Sequence, residues 1–141
     1  MGMIKKILAA TDFSDLSANG VRYACNLARD LGAEIIILNA VPMDETDAFD
    51  KNLLERHKQR LDEFLANLAP DVGADLKIRK VVDMGDPYGT ILDLAEDEEA
   101  SLIVMSTHGR SGLPRMMLGS VTERILRGAP CPVLAIPPRE Q

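Results

Sequence analysis

The stretch Ser106–Ser120 contains the residue types that bind phosphate groups. Its three glycines, Gly109, Gly112 and Gly119, allow a positive φ angle or a close approach of the backbone to a ligand. The residues after Gly119 predict the start of a helix, whose free N–H groups and positive dipole end attract anions. Residues in or just after the stretch that add hydroxyl groups or positive charge are Arg110, Arg115, Ser120 and Thr122. Together these features are sufficient for a loop that binds a polyphosphate.

The common phosphate-binding motifs do not fit this stretch. No Gly-Lys-Ser/Thr follows the glycines, which excludes a Walker loop, and no GxGxxG follows the first predicted strand, which excludes the dinucleotide fingerprint. A purely structural interpretation is also open. Ser120 and Glu123 have the spacing of a capping box, which would explain Ser120 by helix stability alone, and the glycines would then serve a tight loop.

The elements that must position this stretch alternate between strand-like and helix-like patterns along the whole chain. The predicted strands are Ile4–Ala10, Glu34–Val41, Leu76–Val82, Leu102–Met105 and Pro132–Ile136. The predicted helices are one closed by Gly32, one that begins near Leu54 and stops near Pro70, one that starts at Asp86-Pro87, and Ser120–Arg127. This order predicts an α/β fold, a doubly wound five-stranded parallel sheet with helices on both faces, which is Rossmann-like.

Length and composition favour one small domain that is neither secreted nor inserted in a membrane. The 141 residues predict a single domain, 1–141, and contain no apolar run near the roughly 18 residues that span a bilayer. Because no signal peptide is evident at the N-terminus, we expect a cytoplasmic protein. The net charge of −6, from 16 basic and 22 acidic residues, argues against a nucleic-acid partner. Cys25 and Cys131 lie in no CxxC or Cys/His cluster, so we expect neither a disulfide scaffold nor a zinc site.

Two predicted strands end in residues that could contact a ligand. Ligands of open α/β sheets bind beyond the carboxyl ends of the strands, where the strand order reverses. The first strand ends at Thr11-Asp12 and the fourth at Ser106-Thr107-His108-Gly109. An N-cap or an Asx turn would also explain Asp12, although Ser14 or Asp15 could cap the following helix instead. His57, on the apolar face of the second helix, is interpreted as a packed or edge histidine and not as a ligand.

The chain resembles the universal stress protein family over nearly its full length. The Thr-Asp-x-Ser segment after the first strand is typical of the family and is found here at Thr11–Ser14. Gly109, the nine residues Arg110–Leu118 and Gly119-Ser120 match the spacing of the family's nucleotide motif, and Ala129–Leu134 matches its closing strand. One departure is Ser106, which replaces the first glycine of that motif. If this position needs a positive φ, serine costs about 1–2 kcal/mol; if φ is negative, serine fits and its hydroxyl could donate to a phosphate.

The resemblance implies an adenine-nucleotide α-hydrolase-like fold that binds ATP, with Mg²⁺ on the phosphates, and a homodimer that forms through Pro132–Ile136. The first group of residues that it places around the nucleoside is Thr11, Asp12, Ala40 and Val41. The group that it places around the ribose and phosphates is Met105, Ser106, His108, Gly109, Arg110, Gly119, Ser120, Val121 and Thr122. No protein metal ligands are implied.

The leading functional hypothesis is an ATP-binding regulatory domain in a stress response, in which the nucleotide acts as a conformational switch. The alternatives are a dimeric interaction protein that binds no nucleotide and a slow ATP hydrolase. No carboxylate, lysine or histidine within Ser106–Ser120 has an evident orienting partner with which to activate water, so we expect no catalytic residue and at most slow hydrolysis.

Overall fold

The structure of the protein is a computed structural model that describes residues 3–42, 52–72, 76–107 and 119–138. Strands and helices alternate over these residues, as the sequence predicts. The strands are β1 (Lys6–Ala10), β2 (Glu34–Val41), β3 (Ile78–Met84), β4 (Leu102–Ser106) and β5 (Val133–Ile136). The helices are α1 (Asp15–Leu31), α2 (Leu53–Val72), α3 (Pro87–Asp97) and α4 (Ser120–Gly128).

The five strands form one sheet in the order β3-β2-β1-β4-β5, and every neighbouring pair is parallel. This confirms the predicted fold class. From β1 the chain builds outwards to β2 and β3, and it then crosses back to place β4 and β5 on the other side of β1. The strand order therefore reverses between β1 and β4. The helices that follow these two strands, α1 and α4, pack on opposite faces of the sheet. β3 and β5 lie at the two edges.

Side chains of the central strands alternate between two apolar layers. Ile7 and Ala9 of β1 pack with α1 and α2 on one face of the sheet. Leu8 of the same strand packs with Ile91 of α3 and Ile125 of α4 on the opposite face. Because both faces are covered, β1, β2 and β4 carry nearly continuous apolar runs, as expected for a parallel sheet.

Helix ends differ from the sequence prediction at the C-termini of α2 and α4, and α4 ends at Gly128, one residue beyond the predicted Arg127. α1 begins after the cap residue Ser14 and ends before Gly32, whose φ of 65° suits glycine. α3 begins with Asp86 as its cap and Pro87 in its first turn, as predicted. The prediction that the second helix stops near Pro70 is short by two residues, since α2 continues to Val72. A proline in the last turn removes one hydrogen bond but does not stop the helix at once. None of the helices in the described parts of the chain has the length and hydropathy of a membrane span.

Candidate functional site

An open cavity of about 220 Å³ lies at the carboxyl ends of β1 and β4, where the strand order reverses. Its walls come from the ends of β1, β2 and β4 and from the first turns of α1, α3 and α4. The described residues that line it are Ala10, Thr11, Asp12, Ser17, Ala40, Pro87, Ile91, Met105, Ser106, Gly119, Ser120, Val121 and Thr122.

The end of β1 is fixed by hydrogen bonds within the turn that leads into α1. The Thr11 backbone N–H donates to the carbonyl of Leu38 at 2.9 Å, which continues the pairing of β1 with β2. The Ser17 hydroxyl donates to the Ser14 carbonyl at 2.9 Å, and it lies 2.7 Å from the Thr11 hydroxyl. Since a hydroxyl has one hydrogen, Thr11 donates to Ser17. Both hydroxyl groups are thus committed inside the wall of the cavity.

Asp12 lines the cavity and also shapes the turn. Its Oδ1 accepts a hydrogen bond from the Ser14 backbone N–H at 3.0 Å, which is an Asx turn. The cap of α1 is Ser14, whose side chain accepts from the Ser17 N–H at 3.1 Å. The Asx turn and the N-cap considered for this segment are therefore both present, the Asx turn at Asp12 and the N-cap at Ser14. The Asp12 carboxylate lies at the cavity, where it could accept from ribose hydroxyls or from an exocyclic amine.

Phe13, between Asp12 and Ser14, has a left-handed backbone with a φ of 69°. Such a conformation costs a bulky residue about 1–2 kcal/mol and persists only where its surroundings impose it. The Phe13 N–H donates to the Thr11 hydroxyl at 2.9 Å, and its ring packs against Phe64 and beneath the Arg60 guanidinium of α2. Helix α2 thereby holds the turn that presents Asp12.

Asn39 is the only polar residue in the buried run of β2, and its hydrogen bonds explain it. Its amide nitrogen donates to the Thr11 carbonyl at 2.9 Å, and its oxygen lies 3.1 Å from Nδ1 of His57 on α2. His57 is therefore a packed histidine with a polar partner, as predicted. It supports the end of β1 through Asn39 and is not among the lining residues of the cavity.

Ser106 is the last residue of β4, and its hydroxyl is directed towards α1. The hydroxyl donates to the Leu16 carbonyl at 2.7 Å and accepts from the Gly20 N–H at 3.0 Å. Ser106 is not among the described residues with positive φ, so serine fits the backbone here without strain. The idea that this hydroxyl donates to a phosphate is wrong for this geometry, because its one hydrogen already goes to Leu16.

Helix α4 begins at the cavity, and its first turn has no side-chain cap. The residue at the cap position is Gly119, with a φ of −64°, and among the described residues no side chain accepts a hydrogen bond there. The capping box considered for Ser120 and Glu123 does not form, because Ser120 is already the first helical residue. Glu123 instead donates its N–H to the Gly119 carbonyl at 3.0 Å. Nor does Gly119 need a positive φ, so its value at this position is the close approach that a bare backbone allows.

The first turn of α4 has two hydroxyl groups, one hydrogen-bonded within the protein and one exposed. Thr122 is buried and donates to the Ser106 carbonyl at 2.9 Å, so its hydrogen is used within the protein. Ser120 is exposed and lines the cavity beside Gly119. The Gly119 N–H donates to the Thr107 carbonyl at 2.8 Å, which brings the start of α4 to the end of β4.

Most of the residues implied by the resemblance meet around this one cavity. Val41 does not line it, since its side chain is fully buried and its carbonyl accepts from the Gly85 N–H at 2.9 Å. His108, Gly109 and Arg110 lie outside the described residues, as do Gly112 and Arg115. The implied residues that do line the cavity are Thr11, Asp12, Ala40, Met105, Ser106, Gly119, Ser120, Val121 and Thr122. Their role in binding stays a prediction.

Sequence reasoning missed four lining residues, Ala10, Ser17, Pro87 and Ile91. The sequence identifies Pro87 only as the start of a predicted helix. No local signal shows that the first turn of α3 crosses to the ends of β1 and β4, because that depends on the strand order. Within the described ranges, no group of three or more His, Cys, Asp or Glu residues could hold a metal ion.

The described residues thus form a doubly wound parallel α/β domain with a cavity at its switch point, lined by a strand-end carboxylate and the start of a helix. The profile of the universal stress protein family matches residues 3–137, so the chain belongs to that family. This confirms the resemblance found in the sequence.

Individual relatives agree with this assignment. The chain is 34% identical over 142 residues to universal stress protein MJ0531 of Methanocaldococcus jannaschii, with 95% of this chain and 82% of the relative covered. Among solved structures, universal stress protein UspA from Lactobacillus plantarum superposes with a TM-score of 0.80 at 26% identity, covering 96% of this chain and 99% of the other. A universal stress protein solved in complex with cAMP has a TM-score of 0.78 at 24% identity, covering 98% of this chain and 100% of the other.

Proposed function

We propose that the cavity binds an adenine nucleotide, ATP with Mg²⁺ on its phosphates, and that the protein is a nucleotide-responsive regulatory domain. The observation that carries this proposal is the start of α4, which opens on the cavity and has no capping side chain within the part of the chain that the structure describes. By contrast, α1 is capped by the side chain of Ser14 and α3 by the side chain of Asp86. The backbone N–H groups of an uncapped first turn are hydrogen-bond donors, and together with the dipole of the helix they favour a phosphate.

The rest of the cavity fits the other parts of such a ligand. Asp12 is a hydrogen-bond acceptor, which suits the hydroxyl and amine donors of a nucleoside. Pro87, Ile91 and Met105 supply apolar surface for a base. Mg²⁺ is usually bound through phosphate oxygens and waters, so the nucleotide itself would carry the ion.

Relatives with the same fold support the nucleotide class. Two solved universal stress proteins were obtained in complex with cAMP and with dAMP. At 24% and 22% identity these proteins share the fold with this chain, and the bound nucleotides are theirs. The choice of ATP here rests on the spacing from Gly109 to Gly119-Ser120, which resembles the motif of the ATP-binding branch of the family.

Calorimetry with ATP and Mg²⁺ tests the proposal. Gly119→Val should abolish binding while the fold, followed by circular dichroism, is kept, because a branched side chain would stand where the backbone meets the phosphates. Ser101→Ala is the control, since Ser101 accepts hydrogen bonds from Lys5 and Lys6 at the amino ends of the strands, opposite to the cavity. Its ATP affinity should match that of the unaltered protein. If Gly119→Val binds ATP normally, the start of α4 is not the phosphate site.

The two alternatives give different results in related assays. A protein that binds no nucleotide would release none on acid treatment after purification and would give no heat with ATP, AMP or cAMP. An enzyme would hydrolyse ATP rapidly in a single turnover and lose that activity in His108→Ala. We expect bound nucleotide and very slow turnover.

A further inference from the structure

The side chain of Ser106 is inserted against the backbone of α1, and its hydroxyl bonds to two backbone groups of that helix. In an α-helix, the N–H of residue 20 would pair with the carbonyl of residue 16. The Ser106 hydroxyl contacts both of these groups, donating to Leu16 at 2.7 Å and accepting from Gly20 at 3.0 Å. One side chain is therefore bonded to both of the backbone groups that pair in a regular helix.

This insertion depends on glycine in the facing helix. A Cβ placed on Gly20 would lie 2.8 Å from the backbone nitrogen of Ser106 and 2.9 Å from its hydroxyl oxygen. Atoms that close cannot be accommodated without a shift of the helix or the strand. Gly20 and Ser106 therefore form a complementary pair, in which the bare helix backbone admits the serine side chain.

Ser106 also reaches α4, on the opposite face of the sheet. Its carbonyl accepts a hydrogen bond from the Thr122 hydroxyl at 2.9 Å. On the α1 side, Leu16 is followed by Ser17, which lines the cavity. Ser106, at the end of β4, is thus bonded to α1 and to α4, and both helices contribute first-turn residues to the lining of the cavity.

We propose that Ser106 is a positioning residue that holds the first turns of α1 and α4 at the spacing that the nucleotide requires. Its side chain points into α1 and not into the phosphate space, so serine replaces the glycine of the family's motif without blocking the ligand. Serine therefore suits this position, and a glycine here would lose the two hydrogen bonds that join the end of β4 to α1. This inference rests on the proposed binding of an adenine nucleotide.

The test compares Ser106→Ala, Ser106→Gly and Ser106→Thr by calorimetry with ATP and Mg²⁺, and by amide hydrogen exchange at Gly20. The alanine and glycine variants should bind ATP about three- to tenfold more weakly, a tenfold loss being about 1.4 kcal/mol. Their Gly20 amide should exchange faster than in the unaltered protein. Ser106→Thr keeps a hydroxyl and should recover affinity to within about twofold.

Ser101→Ala is the matched control, because Ser101 likewise bonds the backbone of another element, accepting from Lys5 at 3.0 Å and from Lys6 at 3.1 Å, far from the cavity. It should leave ATP affinity unchanged even where it lowers stability. Variants that bind ATP as tightly as the unaltered protein would overturn the positioning role alone. Absence of ATP binding by the unaltered protein would overturn the proposed function and this inference with it.

Discussion

The close packing of α1 on β4 makes Gly20 a sensitive position for substitution. In Gly20→Ala, the new Cβ would lie 2.8 Å from the backbone nitrogen of Ser106 and 3.0 Å from the carbonyl carbon of Met105. Both are backbone atoms of β4, which is paired with β1 on one side and with β5 on the other. The strand cannot move aside without disturbing these pairings, so the helix must shift away from the sheet.

The expected sign is opposite to the usual effect of this substitution. Alanine in place of glycine inside a helix ordinarily stabilises a protein by about 0.5–1 kcal/mol. An additional carbon in a packed interior costs about 1–3 kcal/mol, and the upper part of that range applies where backbone is the obstacle. The difference predicts that the free energy of unfolding of Gly20→Ala is lower by about 1–2 kcal/mol.

Urea denaturation followed by circular dichroism measures this difference, with Gly89→Ala as the matched control. Gly89 also lies in a helix, α3, but a Cβ there would lie 3.6 Å from a side-chain oxygen of Asp86, which is an ordinary contact. The control should be neutral or more stable by up to about 1 kcal/mol. A Gly20→Ala variant as stable as Gly89→Ala would refute the close approach of α1 to β4 and, with it, the insertion of Ser106.

Three further predictions concern the sheet edge, the labelling of the cysteines and the dependence of stability on pH. β5 is an edge strand, and unprotected apolar edges pair with copies of themselves, so Leu134→Lys should convert a homodimer into a monomer in light scattering at micromolar concentration; a monomeric mass for the unaltered protein would contradict this. Burial raises the pKa of the Cys25 thiol to about 11, whereas Cys131 is only half-buried, so at pH 8 a thiol reagent should label Cys131 first and Cys25 only on unfolding. Equal labelling rates for the two thiols would refute this order. Because Cys25 ionises more readily in the unfolded chain, raising the pH from the ordinary thiol pKa of 9.0 towards 11 should lower the free energy of unfolding, and a free energy of unfolding that stays constant over this range would contradict the expectation.

The fold was predictable because its signals are local and agree with one another. The consecutive apolar residues of Glu34–Val41 indicate a strand covered on both faces, and the structure places β2 there with the same bounds. The alternating pattern of Leu76–Val82 indicates an edge strand, and β3 is at an edge, although its bounds are shifted to Ile78–Met84. The ends of a strand are harder to predict than its centre, because they depend on how far the neighbouring strand pairs with it and not on the periodicity of its own residues.

The site was predictable only in part, because side-chain directions depend on elements far apart in sequence. The resemblance to the family predicted that Thr11, Asp12 and Gly119 belong to one site, and the structure places all three at the same cavity. It could not show that the Ser106 side chain points into α1, since its partners Leu16 and Gly20 are 90 and 86 residues away. Asn39 did carry a signal, as an amide in an otherwise apolar strand, but its partners became evident only in the structure.

The hydrogen bonds around the cavity also restrict how a nucleotide could lie in it. A phosphate oxygen can only accept hydrogen bonds, and the hydroxyl hydrogens of Thr11, Ser106 and Thr122 are already donated within the protein. Ser120, at the start of α4, is exposed to the cavity. We therefore expect the phosphates to lie against the first turn of α4, where backbone N–H groups and Ser120 can donate. The donor groups of the nucleoside would then face Asp12 across the cavity, because a carboxylate next to the phosphates would repel them.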